Sequence, residues 1–265
     1  MKQIPREVLL VAEELQKKGF EAYIVGGCVR DLLLGKEPED WDIATNAAPE
    51  EVQKIFPHTF YTNKFFTVTV LQDSKDPKLG QIEVTTFRSE FEYGDRRRPS
   101  RVEPAKTIEE DLSRRDFTVN AIALRLTTND KQQTTRRGSS VVSRKSSVVG
   151  YVVVDPYEGQ KDLKKKVIRC VGNAQERFEE DALRLMRAVR FATTLGFTIE
   201  QETLEALRSQ AYLLKDISKE RIRDEFSKIL MADPPAGEAG KAAEGIEQLR
   251  EATLLEHIVP ELLEG

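Results

Sequence analysis

Three observations make the sequence an α/β (α+β) head followed by an all-α segment. Between residues 20 and 90, short apolar runs bounded by turn residues alternate with helical patterns. A glycine pair separates the first of these runs from a helix. From about residue 160 onward the apolar positions follow helical spacing alone. The 265 residues suit one to two domains at roughly 150 residues each, and the boundary is placed to give domains 1–155 and 156–265.

The elements follow in order. Val8, Leu9, Val11, Ala12 and Leu15 recur at helical spacing, and Lys17, Lys18 and Gly19 close that first helix. Ala22 to Val25 reads as a buried strand, Gly26 and Gly27 as a turn, and Val29 to Leu34 as a helix ended by Gly35. Strand, glycine turn and helix is a geometry suited to phosphate. Trp41 to Ala44 is a strand, Pro49 to Ile55 a helix, and Phe65 to Leu71 and Gln81 to Phe87 two further strands. Ser89 to Lys106, which holds Arg96, Arg97 and Arg98 beside Pro99, reads as a long loop. Residues 117–126 are apolar again. The window 129–150 then breaks the pattern with five basic residues against one acid, and reads as a low-complexity insertion or a hairpin tip. Ala174 to Thr194, Gln201 to Ser209 and Ser218 to Met231 carry helical periodicity.

Composition narrows the function. With 39% apolar and 32% charged residues the chain folds rather than staying wholly disordered. A net charge of -4 argues against holding nucleic acid by bulk charge, so any RNA contact must use local patches. No apolar run approaches the ~20 residues of a membrane span, and MKQIPREVLLVAEELQKKGF reads as an amphipathic helix rather than a secretory signal. A cytoplasmic location with no membrane partner is therefore expected. Cys28 and Cys170 are too few for a disulfide framework and read as small buried groups. His58 and His257 cannot build an imidazole-rich zinc site, so metal chemistry falls to carboxylates, which favours Mg²⁺ or Mn²⁺.

Four segments can do chemistry. In EDWDIAT, Asp40 and Asp42 are two apart; on a strand both carboxylates project from one face. Beside a phosphate-sized glycine turn, such a pair suits divalent ions that clamp a triphosphate; taken alone it is equally a solvated strand edge. A dinucleotide-binding reading fails on spacing, because Gly26 and Gly27 are adjacent and the next glycine is Gly35. In RRDFTVNAIA, Arg115 either lies against phosphate oxygens or pairs with Asp111 or Asp116. In EEDALRLMRAVRF, read as one helix, Arg184, Arg187 and Arg190 share about 120° of the wheel, with Asp181 at the edge three residues before Arg184. Arginines stacked without interleaved acids repel one another, which points to something anionic or base-like against them, although an ordinary surface pair is the plainer reading.

Taken together and in this order, GGCVRD, DWD, RRDFTVNA and EEDALRLMRAVRF resemble the class II tRNA nucleotidyltransferases. These are the CCA-adding enzymes and their bacterial poly(A) polymerase relatives, of the DNA polymerase beta-like superfamily. The resemblance implies a polymerase-beta-like nucleotidyltransferase head domain followed by an all-α neck domain. It implies template-independent transfer of C and A from CTP and ATP to the 3' end of tRNA. Asp40 and Asp42 would hold catalytic Mg²⁺, with Glu83 a candidate third carboxylate. Gly26 and Gly27 form the turn, Gly27 and Arg30 match triphosphate-contacting positions, and Arg115 matches a nucleotide-contacting arginine. Asp181 and Arg184 match a pair that reads the incoming base, and Arg187 and Arg190 match further nucleotide contacts. An Asp acceptor and an Arg donor fork satisfy the pairing edges of cytosine and adenine but not those of guanine and uracil. The loop at 89–106 corresponds to one implicated in switching from C to A addition. Family members normally continue through further helical domains, so a truncated chain with weak RNA binding is the expectation. A-adding and poly(A)-adding enzymes, and an inactive RNA-binding fragment, remain alternatives, and the sequence leaves the oligomeric state open.

Overall fold

The computed structural model describes residues 3–62, 66–91, 101–127, 141–142, 150–232 and 240–263. Two compact units divide the chain: Met1–Ser89, Val102–Arg115 and Val119–Gln160 make the first, and Glu90–Arg101, Asp116–Thr118 and Lys161–Gly265 the second.

The first unit opens with α1 (Arg6–Lys17), whose Val8, Val11, Ala12 and Leu15 are buried at helical spacing. There follow β1 (Ala22–Val25), α2 (Gly27–Leu33), β2 (Asp42–Thr45), α3 (Pro49–Ile55), β3 (Thr59–Thr62), β4 (Thr67–Leu71) and β5 (Gln81–Thr86). Then come α4 (Ile108–Ser113), β8 (Ala123–Thr127), β9 (Val141–Val142) and β10 (Gly150–Val154), while β6 (Arg88–Phe91), β7 (Arg101–Pro104) and α5 (Gly159–Lys165) each straddle a point where the chain passes between units. Eight strands form one sheet in the order β3-β4-β5-β2-β1-β8-β10-β9. The β2–β5 pair is parallel and the other neighbours are antiparallel.

The register sorts this sheet into rows. Val68, Val84, Ile43, Ile24, Leu124 and Val153 lie opposite one another across six strands, and all six are buried. Each such side chain contributes about 1.5–3 kcal/mol on burial, so this row holds the sheet on its core. Successive side chains on a strand point to opposite faces. The next row, Thr69, Glu83, Asp42, Val25, Ala123 and Val154, therefore projects from the other side.

The second unit contains β11 (Val167–Ile168), α6 (Ala174–Glu180), α7 (Leu183–Leu195), β12 (Thr198–Ile199), α8 (Gln201–Gln210), α9 (Lys219–Leu230), α10 (Lys241–Glu251) and α11 (Leu255–Ile258). From Lys161 onward its described regular structure is helical apart from the short parallel pair β11 and β12. Gly196 ends α7 at φ +69°, where a side chain would be strained, and Phe197 N–H returns to Ala192 O at 2.9 Å. Helices α7, α9 and α10 pack against one another.

Four expectations change. The single helix over 174–194 is two, because Asp181 leaves helical geometry at φ -142°, ψ 102°. The loop over 89–106 carries β6 and β7 at its ends, and Arg96, Arg97, Arg98 and Pro99 lie outside the described residues. Of the insertion at 129–150, Val141 and Val142 pair with Val152 and Tyr151 as an edge strand, Gly150 starts β10, and the rest lies outside the described residues. Asp40 sits in an exposed bend before β2, so strand alternation does not place it.

A Cβ built on Gly245 of α10 would come within 2.5 Å of Ile229 Cγ2 and 2.8 Å of Thr193 Oγ1. Gly245→Ala should therefore lower stability by roughly 1–3 kcal/mol through overpacking, read as a reduced urea midpoint at unchanged slope.

Candidate active site

Strand β1 hands the chain to α2 through Gly26, which adopts φ 80°, ψ -138°, a conformation open only to glycine at low cost. Its N–H donates to Ile122 O at 3.3 Å, and its carbonyl accepts from Arg30 N–H. A Cβ here would lie 2.8 Å from Arg115 Nη1 and 3.6 Å from Asp42 Oδ2. The missing side chain is thus what lets an arginine and a carboxylate close on the turn.

Asp42 is the first residue of β2, paired with Val25 on one side and Glu83 on the other. Burial pushes its carboxyl up to about 6; the Arg115 guanidinium opposes the shift, while the charges of Glu83 and Asp40 add to it. Asp40 and Glu83 are both exposed. Among the described residues no group of three or more His, Cys, Asp or Glu is gathered as a ready metal cage. Magnesium does not need one: it keeps several waters and takes one or two carboxylates together with substrate oxygens. A crowded, half-buried carboxylate with an acidic neighbour on the adjacent strand fits such a cation.

The arginines around this turn are pinned. Arg30 donates Nε and Nη2 to Asp31 at 2.9 and 3.0 Å and Nη1 to Asn120 Oδ1 at 2.8 Å. Arg115 donates Nη2 to Asp111 at 3.3 Å and Nη1 to Asn120 O at 3.5 Å, and its buried Nε has no partner. Asp111 also accepts from Arg114 and from Arg88 N–H. Burial pushes the Asp111 carboxyl upward, but Arg114 and Arg115 outweigh that and hold it below the usual range. Of the two sequence readings of Arg115, pairing with Asp111 is present, and so is its electrostatic contact with Asp42.

In the second unit, Asp181 occupies the junction of α6 and α7. Its Oδ1 accepts from Leu183 N–H at 3.1 Å and its Oδ2 from Arg221 Nη2 at 2.9 Å. Arg184 is buried and donates Nη1 to Glu180 at 2.6 Å and to Arg177 O at 3.1 Å. Arg187 grips Asp116 Oδ2 through Nε and Nη2 at 2.9 and 2.7 Å. Arg190 pairs with buried Glu225 and lies 3.9 Å over the Phe191 ring. The repulsion inferred for the arginine ribbon is therefore relieved by Glu180, Asp116 and Glu225, two of which lie far away in sequence. The repulsion thus does not by itself call for an external anion: helical periodicity shows one helix's charges and hides the acids that other segments bring to them.

Sequence reasoning passed over Asn120, Arg221 and Glu225. Asn120 stood within RRDFTVNA, and Arg221 and Glu225 stand one turn apart in α9, but their partners are set only by folding.

Two family models match the chain: the poly(A) polymerase head domain over residues 22–169, and a probable RNA- and SrmB-binding site of polymerase A over residues 196–264. The CCA-adding enzyme of Streptococcus mutans is 46% identical over 228 residues, which is 86% of this chain and 50% of that protein. That of Ligilactobacillus salivarius is 43% identical over 231 residues, 87% of this chain and 50% of the relative. Among solved structures, the Bacillus stearothermophilus CCA-adding enzyme in complex with CTP matches 96% of this chain and 53% of its own, with TM-score 0.74 and 39% identity. A tRNA nucleotidyltransferase complexed with a primer tRNA and an incoming ATP analog matches 94% and 62%, with TM-score 0.68 and 31% identity. The chain thus spans about half the length of the curated relatives it matches.

Asp42 sets a pH dependence. Its folded value of about 6 exceeds the ordinary carboxyl value of 3.8, so the folded state holds the proton longer and stability falls as pH rises between those values. Asp42→Asn should gain on the parent by about 1–3 kcal/mol across that window and keep a constant margin above it, measured by urea unfolding at a series of pH values.

Proposed function

The chain belongs to the poly(A) polymerase head-domain family, and on that premise we propose a template-independent tRNA nucleotidyltransferase that adds C and A to the tRNA 3' end from CTP and ATP. The observation that carries this reading is the half-buried Asp42 beside Glu83, closed on by Arg115 across a glycine turn that opens a helix. The names of the relatives, and the solved neighbours in complex with CTP and with a primer tRNA and an ATP analog, support this choice of substrates.

In this reading Asp40 and Asp42 hold Mg²⁺, and Glu83 assists. A metal bound there would lower the pKa of the attacking 3'-hydroxyl and neutralise charge on the leaving phosphates. The 3'-hydroxyl gives up its proton to water, its oxygen bonds to the α-phosphorus, the bond from that phosphorus to the bridging oxygen breaks, and pyrophosphate leaves. Gly27 and Arg30, at the turn that Gly26 opens, bind the triphosphate, and Arg115 contacts the nucleotide. Asn120 and Asp111 hold both guanidiniums in place, so little side-chain entropy is lost when anionic oxygens arrive. Base choice falls to Asp181 and Arg184, with Arg187 and Arg190 as further nucleotide contacts. An acceptor and a donor fork meet the edges of cytosine and adenine, whereas uracil and guanine leave buried groups unpaired at ~1–3 kcal/mol each. No helix among the described residues is long and apolar enough to cross a membrane, and a cytoplasmic location accords with a tRNA substrate.

The protein should be incubated with Mg²⁺, labelled CTP or ATP, and tRNA lacking its last three, two or one nucleotides. Incorporation that stops at CCA is expected; long A tails, A addition without C, or no incorporation would each overturn the reading in favour of a poly(A) polymerase, an A-adding enzyme or an RNA-binding fragment. Asp42→Ala should lower incorporation by about a thousandfold or more at unchanged far-ultraviolet circular dichroism, and near-normal turnover would remove the metal assignment.

A further inference from the structure

We propose that Arg221 is a positioning residue for base selection: it fixes the Asp181 carboxylate as the acceptor that meets the exocyclic amine of cytosine or adenine. This rests on the base-reading role given to Asp181 above. Because Asp181 sits at a helix break, at φ -142°, no flanking turn of helix restrains its side chain. Two contacts do so instead: Leu183 N–H on Oδ1 at 3.1 Å, and Arg221 Nη2 on Oδ2 at 2.9 Å. A carboxylate has about four lone-pair sites, so acceptor capacity remains for an incoming amine. The carbonyl that uracil or guanine would present there meets a second acceptor and is rejected only while the carboxylate cannot turn aside.

Arg221 comes from α9, forty residues further along the chain than Asp181. One turn on, Glu225 takes Arg190 and lies 3.9 Å from Arg187. One face of α9 thus reaches three of the four residues assigned to the nucleotide on and before α7. Arg221 Nη1 is buried without a hydrogen-bond partner. An arginine kept for stability alone would fill that valence or leave it in water, since a buried donor without a partner is unfavourable.

The test compares kcat/KM for CTP, ATP, UTP and GTP in the parent chain, Arg221→Ala and Arg221→Lys, with an unfolding midpoint for each. The preference for C and A over U and G should fall about tenfold or more in Arg221→Ala, mainly through KM for CTP and ATP, and partly recover in Arg221→Lys. In an Asp181→Ala background, Arg221→Ala should change the preference no further, because the two side chains act as one unit. A folded Arg221→Ala that keeps the parental preference overturns the proposal, as does an equal loss in the Asp181→Ala background. If Arg221→Ala does not fold, Arg221→Lys decides: a reduced preference supports the proposal and an unchanged one overturns it. A parent chain that incorporates nucleotides without preference overturns the base-reading role of Asp181 itself, and this inference with it.

Discussion

The first unit is organised around the cost of placing Asp42 half-buried beside two other carboxylates. Desolvation and the charges of Glu83 and Asp40 all disfavour its ionised form, and Arg115 is the group that offsets them. Arg115 reaches the site because Gly26 has no side chain, and it is held there because Asp111 is buried and ionised behind it. Glycine turn, arginine and buried acid are thus one device, and removing any member leaves a charge without its counterpart.

The second unit repeats the principle with other residues. Four arginines, Arg184, Arg187, Arg190 and Arg221, each meet an acid that a different stretch of chain supplies or that lies across a helix break. These pairs are partly shielded from water, where orientation and hydrogen bonding matter more than at an open surface. Such a lattice sets guanidiniums in fixed directions, which lowers the side-chain entropy that any later contact would cost.

The elements followed the sequence where pattern and burial coincide. Pro49–Ile55 matches α3 at both ends, and Ala22–Val25 matches β1, because a run of residues buried on both faces or along one stripe has a single register that hides it. The helix over 174–194 divided because Asp181 has a backbone conformation that its polar side chain stabilises by capping the next helix. Periodicity registers apolar spacing and passes over such a local exchange of hydrogen bonds. Strand β3 went unread because Thr59–Thr62 lies at the sheet edge, where Phe60 is exposed and alternation is not enforced by a covering layer.

The sequence by itself determined where certain residue types stand: Gly26 before a helix, Asp42 opening a strand, and arginines at helical intervals on α7, types whose chemistry suits a phosphate and a divalent cation. Those follow from chemistry and short-range spacing, which are local. Tertiary structure alone decided that Glu83 stands next to Asp42, that Asn120 grips Arg30, and that Arg221 and Glu225 hold Asp181 and Arg190. Each of those pairs comes from strand order or helix packing, and an attraction between two charges fixes neither until the burial of apolar faces has brought their backbones together.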